Sequence, residues 1–411
     1  MNFAQARTLL ADARVARVLA VLNGDGEETR IVGGAVRNAL FGVPVEDVDL
    51  ATTATPDVVT RRAKAAHIRV LPTGVEHGTV ALLLDGKAFE TTTLREDVET
   101  DGRRAVVRFG RDFAADAQRR DFTVNSLSLS QDGVVHDPLR AIDDLIARRI
   151  RFIGDPRQRI AEDYLRILRF FRFSAAYGEG PLDRAGLDAA SQLRAGLAFL
   201  SRERIGAETL KMLSAPRAPD VCAQISESGV AAFLFPGMVF PARLKNLVRA
   251  DAQADVLLRL AAFAVLTREN AENLQPALRL SNAQTRRLVE AAVALEHLHD
   301  AEPPSGARLA ELRFGFPGAA DALALAGAER GETGGDSQWT RARAIIADME
   351  TPRLPASGED FRRRGLSEGR AIGRALKALQ ARWIRAGFPQ DPAVVAQLIE
   401  DVVAEAEARR D

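Results

Sequence analysis

Apolar residues recur at helical spacing through residues 3–22, at Leu9, Leu10, Val15, Val18, Leu19 and Leu22, until Asn23-Gly24-Asp25-Gly26 stops them. The pattern predicts one leading helix. From Arg30 to Leu94 the period shortens to β-rich runs: Arg30-Ile31-Val32, Val48 to Thr52, Ile68 to Leu71, Thr79 to Leu84 and Phe89 to Leu94. Helical stretches fall between them at Ala35 to Leu40 and Pro56 to Ala66. The second opens on proline, whose fixed φ and missing N–H suit a first turn. Arg95 to Arg120 is polar and rich in Arg, Asp and Gly. It reads as a mobile loop running into a short helix, and loops that long are often functional. Alternation over Val124 to Leu129, the turn Gln131-Asp132-Gly133 and then Val134-Val135 predict a final hairpin. Beyond Pro156 the period is helical almost throughout, with breaks at Gly178-Glu179-Gly180, Ala215-Pro216 and Phe235-Pro236-Gly237. The expected architecture is an α/β N-terminal head followed by an all-α C-terminal region.

Composition narrows this picture. A chain of 411 residues has room for about two to three domains. Its 56 basic residues are balanced by 56 acidic ones, which excludes a uniformly basic nucleic-acid coat. Only five of the basic residues are lysine; between Arg148 and Arg172 stand eight arginines and no lysine, a local density suited to an anionic partner. The single cysteine, Cys222, excludes an intrachain disulfide framework and a cysteine-built zinc site and points to the cytoplasm. No His-Glu-x-x-His occurs, which argues against a histidine-built metal hydrolase. Met1 to Arg7 lacks the pattern of an export signal, and the most apolar later stretch, Val256 to Leu266, is interrupted by Arg259 and too short to span a bilayer; no membrane partner is expected.

Four segments carry candidate chemistry. Ile31-Val32-Gly33-Gly34-Ala35-Val36-Arg37 is a strand ending in two glycines that open a helix, a place where phosphate can approach backbone N–H groups, although a tight turn explains a double glycine as well. In Asp47-Val48-Asp49, strand alternation sends both carboxylates to one face, about 7 Å apart, where they can share magnesium ions. A solvated strand edge reads the same way in isolation, but less so 13 residues after a Gly-Gly-x-x-Arg turn. In Arg119-Arg120-Asp121-Phe122-Thr123-Val124-Asn125-Ser126-Leu127, arginine can hold phosphate oxygens bidentately and Asn125 can bond a ribose or order the loop. Last, Asp163, Arg166, Arg169 and Arg172 stand three apart and predict one polar ridge of a single helix, with Glu162 four residues before Arg166. A salt-bridged surface helix is the plain alternative.

Taken together, these segments resemble the nucleotidyltransferase superfamily in the form of the class II tRNA CCA-adding enzymes and bacterial poly(A) polymerases. The resemblance runs from about Arg30 to Leu213 and departs from the usual motif at Asn38, where the family carries aspartate. It implies a polymerase-β-like palm over residues 1–147, a helical neck carrying the nucleotide-base template over 148–215, and a helical body and tail over 216–411 that binds tRNA. It implies transfer of a nucleoside monophosphate from CTP or ATP to an RNA 3′-hydroxyl. In that scheme Asp47 and Asp49 hold two Mg2+ ions and Glu90 is a third carboxylate. Gly34, Arg37, Arg120 and Asn125 bind the nucleotide, and Asp163, Arg166, Arg169 and Arg172 hold the base and its surroundings. The chemistry of the last group agrees: cytosine and adenine both present an amine donor beside a ring-nitrogen acceptor, which Asp163 and Arg166 complement, whereas guanine and uracil reverse both positions. A poly(A) polymerase would keep the same motifs, and an inactive RNA-binding relative would have lost the reason to keep Asp47 and Asp49.

Overall fold

The computed structural model describes residues 3–71, 78–101, 104–298, 302–332, 334, 336–366 and 369–408, with backbone alone for 96–101, 104–108 and 407–408. It divides into two compact units, Met1–Phe233 and Leu234–Asp411.

The first unit is built on a seven-stranded sheet of order β3-β4-β5-β2-β1-β8-β9. Its strands are β1 Thr29–Val32, β2 Asp49–Thr52, β3 Arg69–Leu71, β4 Thr79–Leu84, β5 Lys87–Thr93, β8 Ser128–Leu129 and β9 Val135–His136. Among the described strands only β2 and β5 pair in parallel, because the chain crosses over through the Pro56–Ala65 helix and the antiparallel strands β3 and β4 before returning beside β2. The strand runs up to Leu94 and the two helices read from the sequence fall where expected, Gly34–Phe41 and Pro56–Ala65 included, but of the alternating run Val124 to Leu129 only Ser128–Leu129 is strand, because Thr123–Asn125 forms a 3-10 turn.

Two further expectations change. The leading segment is not one helix: Ala4–Arg7 and a 3-10 turn, Thr8–Ala11, precede Asp12, which leaves helical geometry and caps Ala13–Leu22 by accepting from the Arg14 N–H at 2.9 Å. Leu9, Val15, Val18 and Leu22 are nonetheless all buried, so the apolar period ran straight through the cap. Nor is 95–120 a loop. It forms a separate two-stranded ribbon, β6 Arg95–Asp101 with β7 Arg104–Phe109, followed by the expected short helix, Phe113–Gln118. A two-stranded ribbon has no core face to fill, so its sequence need not alternate apolar and polar positions.

Helices complete this unit. Phe122, Phe152, Phe170 and Phe173 form a buried aromatic cluster, with Phe122 4.9 Å from Phe152 and 5.1 Å from Phe173 between ring centroids. It clamps the segment after Arg120 onto the Leu165–Tyr177 helix. The second unit is helical throughout its described residues. In it, Arg287 ties the N-cap Asp255 (2.7 Å) to Asp321 (2.8 Å) across three helices, and a separate small core of Phe361, Leu366, Ile372, Leu379 and Ile399 gathers the last ones. Among the described residues no helix is long and apolar enough to cross a membrane.

Candidate active site

Sheet register assembles the first part of the site. Val32, the last residue of β1, pairs with Asp49, the first of β2, so the turn at Gly33 begins beside that carboxylate. On the other side of β1, Val32 pairs with Ser128, and the Gly33 N–H donates to the Leu127 carbonyl at 3.2 Å. Across the parallel pair, Leu50 is opposite Thr91, and one step back along that register Asp49 falls beside Glu90. Three segments far apart in sequence thus meet at one end of the sheet.

They open into a cavity of about 820 Å³. All eleven residues singled out from the sequence line it: Asp47, Asp49, Glu90, Gly34, Arg37, Arg120, Asn125, Asp163, Arg166, Arg169 and Arg172. Within it the acids divide into two kinds. Asp47, Asp49 and Glu90 are exposed and, among the described residues, accept no hydrogen bond and form no ion pair. The Asp49 carboxyl, open to the cavity but partly shielded by its walls, is held above its ordinary value first by that partial desolvation and then by the negative charges of Glu90 and Asp47. Crowded acids with unused oxygens fit a hard divalent cation, which would relieve that repulsion. Among the described residues no three Asp, Glu, His or Cys side chains are already grouped so as to hold a metal ion by themselves.

The other acids are occupied by arginine. Asp116, almost wholly buried, takes Arg119 and Arg120 together, the latter through Nε at 3.1 Å and Nη2 at 2.9 Å. Asp121 is a hub: Oδ2 accepts from Arg169 Nε at 2.7 Å, while Oδ1 accepts from the Phe122 N–H and from Asn125 Nδ2, each at 2.9 Å. Burial alone would raise its pKa, but Arg169 and these donors hold it below the ordinary value. Asn125 in turn accepts from Arg37. Arg37 is itself buried beneath the Tyr177 ring and also donates to the Tyr177 hydroxyl at 3.0 Å and to Asn38 Oδ1 at 2.7 Å. Asn38 therefore still supplies an acceptor where the familiar motif has a carboxylate. Desolvation lowers the pKa of Arg37.

The last segment departs from the expected single helix. Pro156–Glu162 ends before Asp163, whose backbone is extended, and Leu165–Tyr177 begins after it. Asp163 makes the break by capping the second helix, its Oδ1 accepting from the Leu165 N–H at 3.0 Å, while Oδ2 accepts from Arg204 Nη2 at 2.8 Å. Arg166 meets Glu162, as the spacing suggested, and also donates to the Arg159 carbonyl at 2.8 Å. Arg172 pairs with Glu208 at 2.6 Å. The sequence reading missed Asp116, Arg204 and Glu208 as partners. Asp116 lies four residues before Arg120 at pairing distance on a helix, and Arg204 lies in Ser201-Arg202-Glu203-Arg204-Ile205, but tertiary pairing leaves no periodic trace.

Gly33 carries more than its neighbour. Its φ of 65° with ψ of −122° is a conformation essentially restricted to glycine, and a Cβ there would stand 2.6 Å from Arg120 Nη1. Gly33→Ala is expected to lower stability by about 1–3 kcal/mol. It should also raise the KM for nucleotide by swinging the Arg120 guanidinium aside. A thermal melt and nucleotide titration read both, and unchanged nucleotide KM in a destabilised variant would reduce Gly33 to a turn residue.

Asp49 at the start of β2 and Asp47 just before that strand, both without a protein partner, stand with a glycine turn and an arginine wall, the side-chain types that phosphoryl-group chemistry uses. Residues 29–151 match the family described as Poly A polymerase head domain, and residues 182–240 match the probable RNA and SrmB-binding site of polymerase A. The chain is 34% identical over 392 residues to the mitochondrial CCA tRNA nucleotidyltransferase 1 of Mus musculus, covering 89% of this chain and 84% of that one. It is 32% identical over 410 residues to the CCA-adding enzyme of Limosilactobacillus fermentum, covering 93% and 96%. Among solved structures, the Bacillus stearothermophilus CCA-adding enzyme in complex with CTP shares the fold at a TM-score of 0.70 and 24% identity, over 97% of this chain and 99% of that one. The Thermotoga maritima CCA-adding enzyme complexed with tRNA does so at 0.70 and 18%, over 98% of each. The chain belongs to the CCA-adding tRNA nucleotidyltransferase family. Nucleotidyltransferases of this kind generally use divalent metals.

Proposed function

We propose that this chain completes tRNA 3′ ends, transferring CMP, CMP and then AMP from CTP and ATP to the terminal 3′-hydroxyl and releasing pyrophosphate each time. The observation that carries this reading is the convergence, in one cavity, of three carboxylates without a protein partner, an arginine wall and the Asp163–Arg166 pair. Asp47 and Asp49 would hold two magnesium ions, with Glu90 beside them. Bound there, magnesium supplies Lewis-acid activation of the hydroxyl and neutralises charge on the triphosphate. Gly34, Arg37 and Arg120 position phosphates, and Asn125 orders this wall by joining Arg37 to Asp121. Arg169 and Arg172 hold the surroundings of the base.

Selection follows from hydrogen-bond polarity. Asp163 accepts from the exocyclic amine of cytosine or adenine while Arg166 donates to the adjacent ring nitrogen. Guanine and uracil oppose a carbonyl to the carboxylate and an N–H to the guanidinium, leaving polar groups without partners. We retain the division into head 1–147, neck 148–215 and tRNA-binding body and tail 216–411, and place the activity in the cytoplasm, a reading supported by the lone, buried Cys222.

The test is incorporation of each labelled nucleotide with magnesium, on tRNA transcripts ending before, within and after CCA. Addition should stop once CCA is complete. A growing run of A on RNA of any sequence would instead mark a poly(A) polymerase, and no incorporation at all would mark an inactive relative.

A further inference from the structure

The residue between Asp163 and Leu165 has a seat of its own. Tyr164 stands immediately before the Leu165–Tyr177 helix; its backbone is already helical while that of Asp163 is extended, so the chain changes direction between the two. Asp163 and Arg166 line the cavity, and Tyr164 does not. Its ring lies instead on the 3-10 segment Arg194–Phe199, against the backbone of Gly196. A Cβ on Gly196 would stand 1.9 Å from Cδ1, 2.1 Å from Cε1 and 2.4 Å from Cγ of that ring. The tyrosine fills the space in which residue 196 would carry a side chain.

Backbone conformation does not call for glycine here, because Gly196 has no positive φ. What calls for it is the ring. Side chains three apart eclipse in a 3-10 helix. The empty position at 196 and Phe199 therefore share one face, and the exposed Phe199 ring flanks that of Tyr164 at 6.2 Å between centroids. Leu197, fully buried, anchors the segment from its other side. Among the described residues the Tyr164 hydroxyl makes no hydrogen bond, so the ring alone accounts for the fit.

The same stretch of chain holds Asp163 a second way. Ser201 caps the Arg202–Ser214 helix, whose first turn carries Arg204, and Arg204 Nη2 donates to Asp163 Oδ2. We propose that Gly196 and Tyr164 are positioning residues for base choice: the glycine seats the ring, and the seated ring fixes the turn of chain from which Asp163 and Arg166 reach the base. A side chain at 196 would displace Cγ and not only the far end of the ring, so flipping the ring gives no relief and the collision passes to the backbone beside Asp163. Two hydrogen bonds made together to one base edge depend steeply on distance and angle. A wrong base does not make them and has less to lose. The inference deepens the proposed reading of Asp163 and Arg166 and rests on it.

The experiment measures incorporation efficiency by the full chain, ATP against GTP on tRNA ending in CC and CTP against UTP on tRNA lacking CCA. In Gly196→Ala the preference for the correct nucleotide should fall about tenfold, the scale on which small misplacements of reading groups act. Inhibition by pyrophosphate should not change, because Arg37 and Arg120 belong to other elements. Tyr164→Phe should keep the preference of the parent, and Tyr164→Ala, which empties the seat without a collision, should lower it about threefold. In the double variant Gly196→Ala, Tyr164→Ala, preference and melting temperature should match those of Tyr164→Ala alone, since the added methyl has no ring left to meet. This pair keeps the test open if Gly196→Ala does not fold. A Gly196→Ala variant that melts lower with its preference intact would overturn the proposal. So would a methyl effect that persists in the double variant, or a parental preference in Tyr164→Ala. Asp163→Asn, measured alongside, separates the two readings: if it too leaves the preference unchanged, the base-reading assignment has failed, and if it shifts the preference while Gly196→Ala does not, only the seat has failed.

Discussion

Asp49→Asn is expected to lower nucleotide transfer by at least about 1,000-fold, since in the proposed scheme Asp49 holds a catalytic metal and losing that ligand forfeits several kcal/mol of charge stabilisation in the transition state. Asp47→Asn should behave alike. The same substitution should raise the melting temperature of the metal-free protein at neutral pH. The sign follows from linkage: the folded-state pKa of Asp49 lies above its ordinary value, so ionising it costs stability. That cost is absent when the carboxyl is protonated in both states, grows as pH rises through the interval between the unfolded and folded values, and is fully present above it. Asparagine removes the cost. The gain should vanish at strongly acid pH, and added magnesium should stabilise the parent but not the variant. A variant that lost activity and melted lower at neutral pH would mean that Asp49 supports the fold, and the metal assignment would fail.

Asp163→Asn should shift base choice. Asparagine keeps a side-chain oxygen to cap the Leu165–Tyr177 helix, so the structural role seen in the Leu165 N–H contact survives. The amide exchanges an acceptor for a donor at the position that would meet the exocyclic amine, which penalises cytosine and adenine and suits the carbonyls of uracil and guanine. Discrimination should fall by roughly 1–3 kcal/mol, or about 5- to 150-fold. Arg166→Ala should lose selectivity by a similar amount without reversing it. Incorporation efficiency of all four nucleotides on tRNA ending in CC decides the matter. If every nucleotide were weakened equally, the pair would be serving phosphates or the fold and not reading bases.

The strands around the site were legible because each carries an apolar run bounded by turn residues, and Asp47, Asp49, Arg120 and Asp163 stood out because motif spacing fixes them in one chain segment each. What the sequence did not show is how charges are shared. Asp163 reads as a member of a helical ridge because three-residue spacing runs on from it through Arg166, Arg169 and Arg172, yet the side chain that gives it its place in the ridge also ends the preceding helix by capping the next. The ribbon at 95–109 was missed because strands without a buried face need no period-two signal. Glu208 was missed because a carboxylate that matches an arginine from another element has no signature at its own position, whereas Asp116 stands at helical pairing distance from Arg119 and Arg120 and was open to that reading.

The pairing of Arg119 and Arg120 with Asp116 makes the cavity its own salt: its counterions are built in. In the proposed scheme a triphosphate arriving there does not gain two free cations but enters an exchange, replacing an internal carboxylate as their company. For these two arginines the gain is the difference between two similar interactions, so their share of the affinity stays modest. For a catalyst that must discharge pyrophosphate three times on each tRNA, this difference favours turnover: as each product leaves, Asp116 takes the arginines back, and no bare cluster of positive charge has to be exposed to let it go.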